Sequence, residues 1–226
     1  MDHHIFSKTI AGLKETAIFE DAVLVSFSGG KDSLVILDLC AKIFKKVTCF
    51  FMYFVPSLSV CERQLQYARD RYGIEILQYP HYILGRTLAN AVFCDYYPEM
   101  QDFGKFTIID IYALVRKETG VETIVTGAKK SDSFWRRRYM GRCGKEKYKD
   151  IINPLADWNK FDILAYLKVN NIPIPDCSAG NATGIDLSAP SLLWLHDNHP
   201  DDFAKLCRLF PYAEAVIYRR QFYGKK

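Results

Sequence analysis

AVLVSFSGGKDSLVILDLC, residues Ala22–Cys40, is the stretch on which the fold turns. A short, largely apolar run from Ala22 to Phe27 leads into Ser28-Gly29-Gly30-Lys31-Asp32-Ser33, after which Leu34, Leu37, Leu39 and Ile43 recur at helical spacing. Run, turn and repeat read as strand, loop and helix. In an open parallel sheet, the loops leaving the carboxyl ends of the strands hold ligands. Here two glycines admit backbone angles closed to other residues and let amide N–H groups approach an anion, while the following helix contributes its positive end. Lys31 adds a point charge, and Ser28 and Ser33 offer hydroxyls to phosphate oxygens. The stretch therefore reads as a phosphate site. The other way to read it, a tight turn with an incidental lysine, leaves the coincidence of strand, double glycine, lysine and hydroxyls unexplained. It is not a Walker loop, which needs an upstream glycine that the Ser26-Phe27 side of the turn does not supply, nor the dinucleotide fingerprint G-x-G-x-x-G.

Outward from this stretch, strand-like and helix-like segments alternate from residue 5 to about 170, with no internal repeat. Helices are expected over 5–19, 31–44, 57–72, near 84–93, over 107–119 and over 159–169. Strands are expected over 22–27, over Val47–Val55 up to Pro56, at IEILQY and at VETIVTG. The alternation predicts an α/β fold, a doubly wound and mostly parallel Rossmann-like sheet with helices on both faces. After Pro154 the texture changes, and two or three helices fall between Ser188 and Phe222, one starting at Pro200. The expected division is a core domain over 1–155 and a small, mainly helical C-terminal lobe over 156–226.

A chain of 226 residues, 49% hydrophobic and 25% charged, has the composition of a globular protein with a real core. Its longest apolar run, Cys49–Val55, is far short of the roughly 20 residues a membrane helix needs, and residues 1–15 lack a secretory pattern. A cytoplasmic location and no membrane partner are expected. Seven cysteines, none in a C-x-x-C pair, argue against a disulfide framework, a zinc ribbon and an iron–sulfur cluster. Cys40, Cys49 and Cys207 suit a core, whereas Cys143 and Cys177 lie in polar loops. The net charge of +4 is uneven: residues 128–149 carry nine Lys or Arg against two acidic residues, and the rest of the chain is mildly acidic. A charge run of this kind is ordinarily a solvated loop. This one begins at the end of a strand and interleaves Phe134, Trp135, Tyr139 and Tyr148, a pattern suited to a nucleotide or a single strand that stacks.

Ser28-Gly29-Gly30-Lys31-Asp32-Ser33 resembles the pyrophosphate-binding loop of the N-type ATP pyrophosphatases. TGAKKSDSFWRRR, Thr126–Arg138, and INPLADWNKFDILAYLKVNNIPIP, Ile152–Pro175, resemble the branch that contains the adenosine 5'-phosphosulfate and 3'-phosphoadenosine 5'-phosphosulfate (PAPS) reductases. That branch also contains the small subunit of bacterial ATP sulfurylase, a type of FAD synthetase and the ATP-using proteins of DNA phosphorothioation. The resemblance covers roughly residues 20–176 and implies an adenine nucleotide alpha hydrolase-like fold. The chain departs from it in its cysteines, and the paired cysteines of the iron–sulfur reductases are absent. The reductases share a C-terminal Glu-Cys-Gly-Ile-His segment whose cysteine attacks the sulfonucleotide, and this sequence reads YRRQFYGKK there.

The resemblance implies ATP and Mg²⁺ as cofactors, no iron–sulfur cluster, and adenylyl transfer to an unidentified acceptor with release of pyrophosphate, in sulfur metabolism or in sulfur incorporation into nucleic acid. Lys31, Asp32 and Arg137 would be catalytic. Ser26, Ser28, Gly29, Gly30, Lys31, Asp32 and Ser33 would hold the nucleotide's phosphates, Tyr53 and Phe54 its adenosine, and Gly127 would let backbone approach the α-phosphate or ribose. Lys129, Lys130, Arg136, Arg137 and Arg138 would bind the group that is adenylated. Asp32 serves equally as a ligand to Mg²⁺ or as a cap on the helix start. Asp157 and Trp158 are expected to be architectural, with Trp158 filling the seam to the C-terminal lobe. Candidate partners are a nucleic acid on the basic segment 129–149 and a protein that supplies sulfur. Two alternatives stay open: a nucleotide-binding subunit without turnover, and a sulfonucleotide reductase without the usual thiol.

Overall fold

Val23, Leu24 and Val25 are wholly buried, so β1 (Ala22–Ser26) has both faces covered and sits inside the sheet. On one side it runs parallel to β2 (Lys46–Tyr53), in a register from Ala22 opposite Lys46 to Ser26 opposite Phe50. On the other it runs parallel to β4 (Ile124–Thr126), with Ser26 opposite Thr126. β3 (Glu75–Pro80) and β5 (Ile151–Ile152) complete a five-stranded parallel sheet in the order β3-β2-β1-β4-β5. The chain leaves β1 toward β2 and returns on its far side at β4, so the winding reverses between β1 and β4. The doubly wound fold is as expected. The computed structural model describes residues 3–140, 150–176 and 185–224; Cys143 and Cys177 lie outside them.

The helices are α1 (His3–Phe19), α2 (Lys31–Ile43), α3 (Ser59–Tyr72), α4 (Leu84–Ala89), α5 (Ile108–Thr119), α6 (Phe134–Met140), α7 (Lys160–Val169), α8 (Ala189–Asn198), α9 (Pro200–Leu209) and α10 (Glu214–Tyr223). Among the described residues, no helix is long and apolar enough to cross a membrane. α4 is shorter than its apolar pattern suggests because Ala91 and Phe93 turn to φ 52° and 58°, outside the right-handed helix. α2 is buried on every side from Ser33 to Cys40, which places Asp38 in the interior at 2% exposure. Asp38 accepts from the Tyr166 hydroxyl at 2.6 Å, the Tyr72 hydroxyl at 3.1 Å and Lys42 at 2.6 Å, so its charge is fully partnered.

The chain forms two compact units, and they do not follow a cut at residue 155. The first comprises residues 1–51, 65–78 and 112–175, and therefore contains the sheet's centre and α7. Trp158, 1% exposed, belongs wholly to this unit: its Nε1 donates to Thr9 Oγ1 at 2.9 Å, and its ring meets Phe6 and Tyr166 edge-on. It anchors α1 and α7, and the expected seam to the C-terminal helices is not its place. The second unit comprises residues 52–64, 79–111 and 176–226. Its core gathers Leu192 and Leu195 of α8, Phe203 and Leu206 of α9, Phe210 and Ile217 around Val55, Leu58, Val60 and Cys94. Each large side chain so buried contributes about 1.5–3 kcal/mol. Asp202, 1% exposed, accepts from the Ser59 and Val60 amides at 2.8 and 2.9 Å and so caps α3 from α9. The two units part company because 52–64 and 79–111 supply the apolar side chains that the late helices need.

Candidate functional site

At the end of β1, the Phe27 amide donates to Phe50 O at 2.9 Å, and the chain then breaks from the sheet. Gly29 has φ +70°, a left-handed conformation that favours glycine. Gly30, at φ −85° and ψ 168°, is ordinary extended backbone, so only one of the paired glycines is demanded by the turn. Gly30 is the N-cap of α2 and brings no side-chain cap, and the Asp32 carboxylate does not supply one either. The alternative of Asp32 as a helix cap therefore falls. Ser33, buried, donates from Oγ to Gly30 O at 2.9 Å, and Ser28 Oγ donates to Ser33 Oγ at 3.2 Å. These hydroxyls lace the loop from within, while Ser28 remains exposed at its surface.

The second loop, after β4, meets the first through charge. Lys129, expected on the basic surface, is 4% exposed and turned inward. Its Nζ lies 2.8 Å from Asp32 Oδ1 and 3.0 Å from Asp132 Oδ1. Lys31 Nζ lies 3.3 Å from Asp32 Oδ2, and Arg136 pairs with Asp132 Oδ2. The result is an alternating row, Lys31, Asp32, Lys129, Asp132, Arg136. Asp132 is drawn in partly against its charge, and the hydrogen bonds and charges of Lys129 and Arg136 outweigh that burial and hold its carboxyl below the usual range. Gly127 makes the approach possible: a Cβ there would lie 3.0 Å from Asp32 C and O and 3.2 Å from Ser33 N. The close contact this glycine admits is thus with the turn at the start of α2.

The same loop is stitched to the segment 153–158, joining the two stretches on which the resemblance rests. Thr126 Oγ1 donates to Asn153 Oδ1 at 2.6 Å, the Lys130 amide to Ala156 O at 2.9 Å and Ser131 Oγ to Trp158 O at 3.3 Å. Lys130 Nζ reaches Asp157 at 2.5 Å, and Lys8 reaches the same carboxylate at 3.2 Å. Hydrogen bonding to Lys130, with Lys8 behind it, lowers the Asp157 carboxyl from its ordinary value. Of the five cations expected to bind substrate, three are therefore occupied by carboxylates. Arg137 and Arg138 stand exposed on α6 with no ion pair among the described residues, beside Phe134 at 68% and Trp135 at 73% exposure.

Asp32 does not fit a metal ligand as it stands. Both its carboxylate oxygens face ammonium groups, and Oδ1 is shut off from solvent.

Tyr53 and Phe54, at the end of β2, fall in the second unit. There the Phe54 ring stacks on His81 at 4.7 Å, and His81 stacks on Tyr82 at 4.6 Å. The Ile83 amide donates to His81 Nδ1 at 3.2 Å, which fixes the proton of the neutral ring on Nε2. Burial lowers the His81 pKa to about 4, so the ring stays neutral. Asp132 and Asn153 were not among the sequence candidates. The one signal available for them was their place, Asp132 three residues beyond Lys129 and Asn153 just ahead of Pro154.

The phosphoadenosine phosphosulfate reductase domain model matches residues 22–177. No curated protein sequence matches. Among solved structures, a phosphoadenylyl-sulfate (PAPS) reductase from Candida auris, in a phosphate complex, superposes with a TM-score of 0.50 at 17% identity, covering 79% of this chain and 91% of that one. An NH3-dependent NAD synthetase from Campylobacter jejuni, in complex with nitrate, superposes with a TM-score of 0.53 at 15% identity, covering 100% of this chain and 97% of that one. Both share the adenine nucleotide alpha hydrolase-like fold seen here. With most of the sheet and both loops inside the matched span, the chain belongs to the phosphoadenosine phosphosulfate reductase domain family, a nucleotide-binding family of enzymes.

Proposed function

We propose that this chain cleaves ATP between the α- and β-phosphates, transfers AMP to an oxygen of an acceptor and releases pyrophosphate. The observation that carries the reading is the intact turn 28–33, with Gly29 left-handed, Lys31 at the first position of α2, and the whole placed beside the reversal between β1 and β4. Such a turn is built for a pyrophosphate, and a sulfonucleotide has no β,γ-pyrophosphate to offer it. As the bond to the α-phosphate breaks, negative charge grows on the leaving pyrophosphate, and Lys31 with the amino end of α2 stabilises it there. Mg²⁺ would accompany the triphosphate as its counterion, since the Asp32 carboxylate already faces Lys31 and Lys129.

The acceptor is a nucleic acid, read from Arg137, Arg138, Phe134 and Trp135 on α6, where cations and stacking faces are both exposed. A separate protein supplies the sulfur. Reduction by a thiol is less well supported. Burial pushes up the thiols of Cys40, Cys49 and Cys94, and burial together with Glu214 raises Cys207 to about 11, so none of these four is a thiolate at neutral pH.

The test is pyrophosphate release from ATP and Mg²⁺ by the purified chain, with and without single-stranded DNA or RNA. Release that depends on Lys31 is the expected result. ATP binding without release would leave a nucleotide-binding subunit, and sulfite release from PAPS with a thiol donor would restore the reductase reading. Binding to the single strand should weaken steeply with salt and be lost in Arg137→Glu/Arg138→Glu.

A further inference from the structure

We infer that Lys129 is a positioning residue, an internal cation whose contacts with Asp32 and Asp132 fix the phosphate loop to the loop after β4, and that Asp32 works through Lys129 and not through a bound metal. The inference rests on the nucleotide reading of loop 28–33 for its catalytic consequence, but not for its physics.

Two features set Lys129 apart from Lys130, Arg136, Arg137 and Arg138, the other described cations of the segment. It is buried, with only 5% of its side chain exposed, and it is shared by two carboxylates at 2.8 and 3.0 Å. Each of those carboxylates has a second cation of its own, Lys31 for Asp32 and Arg136 for Asp132. Lys129 is therefore the middle of the row, and its removal splits the row into two separate pairs whose carboxylates face each other across the gap. Loss of either carboxylate leaves Lys129 with the other. The backbone supports the same tie: the Lys129 amide donates to Asp132 Oδ2 at 3.1 Å, and Asp132 N donates to Lys129 O at 3.2 Å. Gly127, packed on the backbone of Asp32 and Ser33, keeps the two loops in contact. A cation held this way can swing out to a substrate only by leaving both carboxylates and unmaking the turn. What it can do is hold the Asp32 end of the loop in one place while the exposed arginines of α6 engage the acceptor.

The experiment is a double-mutant cycle on the full chain, read two ways. Thermal unfolding of the ligand-free protein comes first, for Lys129→Met, Asp32→Asn, and the pair together. Lys129→Met should lower the midpoint by about 5–10 °C, Asp32→Asn by less, and the double variant by clearly less than the two singles added. Additive shifts would overturn the inference, and this arm does not depend on any activity. The second arm measures pyrophosphate release against Mg²⁺ concentration. Asp32→Asn should lower kcat at least tenfold with the half-saturating Mg²⁺ concentration unchanged within twofold, and Lys129→Arg should recover part of the kcat lost in Lys129→Met. A several-fold rise in the half-saturating Mg²⁺ concentration in Asp32→Asn would make Asp32 a metal ligand and overturn the inference. Absence of pyrophosphate release from the unmutated chain would instead sink the functional reading and leave the thermal cycle to decide the role of Lys129. Should Lys129→Met fail to fold, Asp132→Asn combined with Asp32→Asn supplies the same cycle, again expected to be non-additive.

Discussion

Asp32 and Asp38 lie six residues apart on α2, and their surroundings differ in kind. Asp38, in the middle of the helix, is satisfied by two tyrosine hydroxyls brought from elsewhere in the first unit and by Lys42 one turn on along the same helix. Asp32, in the first turn, has only ammonium groups as its ion-pair partners among the described residues and keeps a quarter of its side chain in solvent. A carboxylate shared by two tyrosine hydroxyls and one lysine of its own helix holds a fold together, whereas one faced by ammonium groups alone at the mouth of a loop sets the local field that an anionic ligand meets. Burial alone would rank the two in the wrong order for function. The nature of the partner separates them.

The sharpest way to break this comparison is at Lys31. Lys31→Ala should lower pyrophosphate release about 10²–10³-fold while leaving the unfolding midpoint within a few degrees, as measured by a coupled pyrophosphate assay and thermal melts. Asp38→Ala should do the reverse. It leaves two buried hydroxyls without their acceptor and Lys42 without its counter-charge, and should lower stability by about 3 kcal/mol in urea unfolding, with the KM for ATP unchanged. A large KM effect at Asp38 would erase the distinction drawn between the two carboxylates. Gly127→Ala should fall between them. The added Cβ presses on the backbone of Asp32 and Ser33, so activity should drop about tenfold for a loss of about 1–2 kcal/mol in stability.

The smallest effect is one of pH and belongs to Asp38 alone. Burial, and then the hydrogen bond and charge of Asp38, raise the Tyr166 phenol above its ordinary value of 10.0, and burial with the Asp38 charge does the same for Tyr72. A group whose pKa is raised in the folded state adds stability that is complete below the unfolded value and is lost as pH rises past it. Stability should therefore hold up to about pH 10 and decline above it, and Tyr166→Phe should flatten that decline in melts taken between pH 8 and 11.

Much of this was legible in the sequence. The strand, turn and helix of 22–43 followed from an apolar run, paired glycines and a resumed helical period, and β2, α3 and α5 fall within two residues of their patterns. What stayed hidden were facts about direction. A run of nine cations looks the same whether one of them turns inward or not, and Lys129 turns inward because Gly127 and two carboxylates admit it. Asp38 sits inside an apolar stretch and reads as an interruption of a packing face until Tyr72 and Tyr166, far away in the chain, are brought to it. The division of the chain was hidden for a similar reason. Residues 52–64 belong by sequence to a crossover between strands and by burial to a core built with residues more than a hundred positions later.

The chain also carries its own optical instrument. Its tryptophans are 135, 158 and 194, and they occupy three different environments. Trp158 is sealed against Thr9 and Phe6 and should emit to the blue, with a shift to the red when α1 detaches. Trp194 sits half-buried in the core of the second unit. Trp135 stands in water beside Arg136 and Arg137, so a base stacking on it would quench its red-edge emission while leaving the other two bright. Titrations excited near 295 nm, on the order used for tryptophan alone, would therefore separate arrival of a nucleic acid at α6 from opening of the first unit without any added label.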